Sequence, residues 1–324
     1  MRSGRHLILD WAEQGVLEQE RVGEAFAAGG IAPTARDWRR FLDRLLAGAG
    51  AVFLAAAVIF FLAYNWQALG RWGKFALVEA AIAVALALYW KLGADRVAGK
   101  AALTAAALLV GALLALFGQT YQTGADPWEL FALWAVLVLP WALLGRFAAL
   151  WVLVATLANL AVMLHFHARR GFFGIVFGTE ELLAALFVLN TLVLVAWELA
   201  ARRLAWLDER WALRLVALAG GVAVTVLALH VIFDWRDASG WAAIGWPLWI
   251  AAIYAAYRRR IPDLFMLAGG SLSAIVVTAS LLVRLVLDQA HAGAGGFLFI
   301  GLVVIGLSAA AAVWLRGIHA ERQA

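Results

Sequence analysis

Residues 45–66 read LLAGAGAVFLAAAVIFFLAYNW. Positions 45–64 carry no charge, and an Asn-Trp pair, Asn65-Trp66, closes the run. A helix needs roughly 20 apolar residues to cross about 30 Å of hydrocarbon, so this stretch reads as a transmembrane helix. Further apolar runs follow at 74–92, 100–117, 128–144, 147–166, 181–201, 212–233, 241–257, 263–284 and 296–315. They are continuous rather than alternating, which argues against a membrane β-barrel. In lipid a chain must satisfy its own backbone hydrogen bonds, so each run must be helix. The sequence therefore predicts an all-α fold, a polytopic membrane bundle of about ten helices. The fourth and fifth runs are separated only by Gly145 and Arg146, which predicts a tight helical hairpin. Pro247 is expected to kink the eighth run or mark its start.

Composition agrees. The chain has 324 residues, of which 65% are hydrophobic and 15% charged, and its mean hydropathy is +0.87. Soluble domains carry about 25% charged residues. The chain contains no cysteine, which removes disulfides, thiolate chemistry and Cys-based metal sites. The first 44 residues show no apolar core of a cleavable signal peptide, so the first span is expected to direct targeting. The preference for Arg over Lys, with abundant Ala and Gly, suggests a bacterial source.

Lys and Arg concentrate on the cytoplasmic side of membrane proteins. Counting alternate loops places 20 of the 26 basic residues with the two termini, including Arg36, Arg39, Arg40, Arg44, Arg202, Arg203, Arg210, Arg214 and Arg258 to Arg260. The other 6 are Arg71, Lys74, Arg169, Arg170, Arg236 and Arg284. Both termini are therefore expected in the cytoplasm of a bacterium, with the spans in its inner membrane. The net charge of +5 follows from basic loops facing anionic lipid. No nucleic-acid-reading face is evident. Trp66, Trp72, Trp128, Trp235 and Trp241 fall at outer span ends, and Trp38, Trp90, Trp197, Trp206, Trp211 and Trp314 at inner ones, as an aromatic belt requires.

The chain divides into a cytoplasmic segment, 1–44, and a transmembrane domain, 45–324. The first is expected to hold a short amphipathic helix ending near Gly15, a second over 18–28, and a third started by Thr34 as N-cap with Asp37 three residues on. It is read as a hairpin against the bilayer or as a docking element.

Ionisable groups at membrane depth are functional candidates by default. Glu79 is the foremost, expected to face the bundle interior or a wet cavity. Glu198 with Arg202, and Arg284 with Asp288, are expected to form helical ion pairs. Asn159 and Asn190, deep in their spans, are expected to join helices. His165, His167, His230 and His291 share the outer side with several carboxylates, but no local spacing fits a metal, so neither a metal nor a cofactor is expected. Gly48/Gly50, Gly269/Gly270 and Gly293/Gly295/Gly296 are candidates for close helix approach. No nucleophile elbow, phosphate loop or dinucleotide fingerprint occurs.

Between the third and fourth spans stands Gly118-Gln119-Thr120-Tyr121-Gln122-Thr123-Gly124-Ala125-Asp126-Pro127-Trp128. It is rich in hydrogen-bonding side chains and almost uncharged. It is expected to be ordered and packed between spans, with Asp126 capping the fourth. Together with Tyr64-Asn65-Trp66, Leu130-Phe131 and Leu139-Pro140-Trp141, this stretch resembles the bacterial membrane-protein family named domain of unknown function 2157. The resemblance covers about residues 5–165. It implies an N-terminal helical segment, an Asn-Trp pair closing the first span and a Gly-Gln-x-Tyr-Gln loop after the third. It also implies neighbouring multi-span proteins and a shared complex, but no activity or catalytic residue.

Three functions are open at this point: a non-catalytic subunit or scaffold of an envelope complex, a small-solute transporter, and a membrane enzyme working at the outer face. The first is preferred. Gln119, Tyr121, Gln122, Asp126, Trp128, Glu79, Asn65 and Trp66 are its candidate ligand or partner residues. The expected partners are the lipid bilayer and a membrane or envelope protein, and the oligomeric state is open.

Overall fold

The computed structural model describes residues 4–169, 179–234, 240–287 and 294–323. Arg170, Trp235, Arg236, Asp288, His291 and Gly293, named above, lie outside them. Among the described residues there is no strand. Two short helices, α1 (Gly4–Glu13) and α2 (Val22–Ala28), precede ten longer ones. These are α3 (Ala35–Tyr64), α4 (Arg71–Leu92), α5 (Val97–Tyr121), α6 (Pro127–Gly145), α7 (Ala148–Arg169), α8 (Thr179–Ala201), α9 (Arg210–Phe233), α10 (Gly240–Ala255), α11 (Leu264–Leu287) and α12 (Ala294–Gln323). Nine of them are long and apolar enough to cross a membrane.

The exception is α10. Its 16 residues rise only about 24 Å at 1.5 Å each. It is prolonged by a π-helical turn, Ala256–Arg260, and Pro247 lies inside it rather than at its start.

Contacts pair like ends throughout, so successive long helices run antiparallel. At the end where α3 begins, Glu198 of α8 meets Arg210 of α9 and Tyr257 after α10. There too Arg214 of α9 meets Asp263 ahead of α11, and Arg258 meets Glu321 of α12. At the opposite end Phe75 of α4 meets Tyr121 of α5, and Trp128 of α6 meets His165 of α7. These are called the near and far ends below.

Two helices are central. α5 packs on α3, α4 and α6, and α9 packs on α8, α10 and α11, with α7 touching both groups. Leu103, Ala107, Val138, Ala142 and Leu150 form the core beside α5, and Leu213, Val216, Ala217, Ile253 and Met266 form the core beside α9. Large apolar side chains such as Phe53, Phe60 and Leu144 point outward, as lipid-facing positions must. Lipid tails are as apolar as the core, so helix association relies on close packing and internal hydrogen bonds. Gly111 illustrates it: the indole of Trp134 lies over it and donates from Nε1 to Ala107 O at 2.8 Å. A Cβ on Gly111 would stand 2.5 Å from that ring.

The glycines singled out from the sequence are mostly not close-approach points. A Cβ at Gly48, Gly50, Gly269 or Gly295 would meet nothing within 4 Å, and only Gly296, 2.7 Å from Val286, is tightly packed. A run of apolar residues does not reveal which of its faces a neighbour covers.

Thr34 caps α3 in a full capping box with Asp37. Two hydrogen bonds that the helix start would otherwise lack are thereby made. The expected local helical ion pair of Glu198 with Arg202 does not form. α8 ends at Ala201, so Arg202 lies past the last helical turn, and Glu198 bonds Arg210 at 2.9 Å instead. The partner expected for Arg284, Asp288, lies outside the described residues; Arg284 Nη1 donates to the carbonyl of Ile232.

Candidate functional site

Two pieces of sequence some fifty residues apart meet at the far end. Asn65 follows the last residue of α3, and its Nδ2 donates to Phe61 O at 2.9 Å. Trp66 then turns toward the start of α4, where Lys74 Nζ sits 3.5 Å from its ring centroid. One turn earlier on the same helix face, Arg71 lies 4.8 Å over Trp72 and 5.7 Å over Tyr121. Tyr121 is held by Phe117 at 4.7 Å and Phe75 at 6.2 Å. Trp66 and Tyr121 are thus linked through Lys74 and Arg71 in the first turn of α4. Such cation–π contacts contribute about 0.5–1 kcal/mol each at exposed sites.

The loop itself corrects the expectation made for it. Gly118, Gln119 and Thr120 are helical, because α5 runs on to Tyr121. Residues 121–127 are exposed rather than packed between spans. Gln122 ends α5 in a left-handed conformation, φ 46°, and its N–H bonds Gly118 O. The Thr123 N–H bonds the same carbonyl at 3.4 Å. This is a Schellman-type end, where glycine is the usual residue. A non-glycine residue there costs roughly 1–2 kcal/mol. Among the described residues neither Gln119 nor Gln122 has a side-chain hydrogen bond. Asp126 occupies the N-cap position of α6 but makes no side-chain cap bond; Pro127 at the first helical position starts the helix. Trp128 packs edge-on against His165 at 4.8 Å.

Glu79 is exposed, and the expectation that it faces the interior does not hold. Its neighbour Val78 takes the core position, fully buried, so residue 79 turns outward. Among the described residues no group of three or more His, Asp or Glu side chains converges on a metal-sized site.

Several polar groups within the spans bond one another across helices. Asn159 Nδ2 donates to Asn190 Oδ1 at 3.1 Å and Asn190 Nδ2 returns a bond to Asn159 Oδ1 at 2.6 Å, linking α7 to α8. Ser273 takes the indole N–H of Trp246 at 2.9 Å and lies 2.6 Å from the hydroxyl of Thr225, tying α9, α10 and α11. Sequence reading missed this second cluster, and also missed Asp263. That carboxylate is 4% exposed, accepts two bonds from Arg214 and accepts the Phe265 N–H at 2.9 Å. The Pro262-Asp263 pair ahead of an apolar run was the available signal for a cap at that position.

With this geometry in place, the class of protein is a polytopic helical membrane protein. Residues 9–151 match the model of the family described as "Predicted membrane protein (DUF2157)". The match takes in α3 to α6 and the beginning of α7, with the whole far-end cluster around Tyr121. The second group of helices, around α9, lies beyond it. No curated protein matches the chain. No solved structure matches it either.

Proposed function

We propose that the protein is a non-catalytic subunit or scaffold of an envelope complex in a bacterial inner membrane, and that the far end binds its partner. One observation carries this reading. Gln122 occupies a left-handed position that glycine would take without strain, while its side chain is exposed and bonds nothing among the described residues. Strained non-glycine positions that survive without an internal use point to an external one. Gln119, Tyr121, Gln122 and Asp126, with Asn65, Trp66 and Trp128, form the surface offered. Glu79 belongs to it only if the partner also lies along α4.

The near end, rich in arginine, is assigned to the cytoplasm together with both termini, following the bias of basic residues. The absence of native cysteine makes a direct test convenient. A single cysteine at position 122, labelled with a photo-crosslinker in native membranes, is expected to give one discrete protein adduct. A cysteine at the outward-facing Val84 is expected to give none. Equal products from both positions, or no adduct from 119, 121 and 122, would refute the docking surface. A membrane-impermeant maleimide is expected to label position 122 in intact spheroplasts and position 40 only after lysis.

Small-solute transport is the second reading. It is favoured by a recess of about 370 Å³ between α7, α8 and α9 that reaches Thr156, Asn159 and Asn190. The Asn pair already satisfies its own polar groups, which weakens that reading.

A further inference from the structure

A charged recess at the near end is not used by the proposed docking surface. It has a volume of about 540 Å³ and is lined by Glu198, Arg202, Asp208, Arg210 and Arg260, with Ala201 and Ile261. Its three arginines come from three places: just past α8, the first residue of α9, and the π turn after α10. Arg210 is fixed, because its guanidinium bonds Glu198, which also accepts the Tyr257 hydroxyl at 2.9 Å. Glu198 is thereby neutralised within the protein. Arg202 and Arg260 are exposed and make no ion pair among the described residues, so the recess keeps an excess of positive charge over Asp208. Arg260 is brought to it by the π turn, an uncommon element that recurs at functional sites.

We infer that this recess binds a phosphate-bearing anion, with Arg202 and Arg260 as its direct ligands and Arg210 as a fixed third cation. Guanidinium groups match phosphate oxygens in charge and in geometry. The position favours the headgroup phosphate of an anionic phospholipid as the source. The recess lies at the ends of the apolar segments, beside the outward-facing Leu199, Leu204 and Trp211, where acyl chains would lie alongside. Basic pockets between spans are a recognised form of headgroup site. The inference does not depend on the partner-docking reading or on the orientation.

The test uses the full chain, delipidated in detergent. Retention of phosphatidylglycerol is compared with that of phosphatidylcholine by native mass spectrometry. Wild type is expected to prefer phosphatidylglycerol, and Arg202→Ala with Arg260→Ala to lower that affinity about tenfold or more. Arg316→Ala, outside the recess, is expected to leave it unchanged. If the alanine pair fails to fold, Arg202→Gln with Arg260→Gln serves in its place. Inorganic phosphate forms a second arm. Displacement of the lipid by phosphate, with thermal stabilisation of wild type and not of the double variant, would keep the anion site and reassign its source to a soluble phosphate. Equal retention of the two lipids with no response to phosphate, or a folded double variant that binds like wild type, would overturn the inference.

Discussion

Arg214 and Asp263 show how much one residue pair can decide. The carboxylate is buried, the guanidinium is partly exposed at 40%, and two bonds of 3.2 Å join them. Removing one partner of a buried ion pair leaves an uncompensated charge and costs about 3–5 kcal/mol. Arg214→Ala is therefore expected to lower thermal stability in detergent by that order. Arg214→Leu combined with Asp263→Asn is expected to recover much of the loss, because the stranded charge is then gone. A single variant as stable as wild type would show that the pair holds nothing together. At Gln122 the expectation has the opposite sign. Gln122→Gly relieves the left-handed strain and is expected to raise stability by roughly 1 kcal/mol, offset in part by the added freedom of the unfolded chain. A thermal unfolding series in one detergent checks both. The contrast between these residues also marks what the sequence reveals. The Thr34–Asp37 cap is local and was readable. The partner of Glu198 was not, because the rule of four-residue spacing holds only inside a helix, and α8 stops at Ala201.

At the scale of helices, packing turns on a few positions without a side chain. Gly111 lets the Trp134 indole close α5 against α6. Gly111→Leu is expected to cost about 1–3 kcal/mol through overpacking. Gly48→Leu, which meets open space, is expected to stay within about 0.5 kcal/mol of wild type. Comparable melting temperatures for the two would contradict the packing assigned to α5. That the chain is a bundle of long apolar helices was legible, since length and hydropathy alone indicate it. Their contact faces were not. A helix apolar on all sides gives no stripe to mark its buried face, so the roles of Gly111 and Trp134 emerged only from the packed structure. The loop after α5 was misjudged for a related reason. Its polar residues were read as a buried network, whereas they extend the helix and then face outward.

For the whole molecule, the family match and the packing divide the chain in a similar place. Residues 9–151 bring in the helices around α5 and the far-end cluster, while the helices around α9 hold the internal polar pairs and the near-end recess. This arrangement suits a protein that presents one end to a partner and uses the rest to stay fixed in the bilayer. The alternation of basic loops was readable as a pattern in the sequence. The identity of the partner was not readable, because the surface that would hold it is a handful of exposed side chains without a local motif of known chemistry. The measurement that tests the central claim most directly is purification of the tagged protein from its native membranes in mild detergent, wild type beside Tyr121→Ala with Gln122→Gly. The expected result is a stoichiometric membrane or envelope protein bound to the wild type and lost from the double variant, with the bundle still folded. A wild-type protein that emerges alone, or a partner held equally by both, would contradict the account, and the first of these would turn attention to transport through the recess at Asn159 and Asn190.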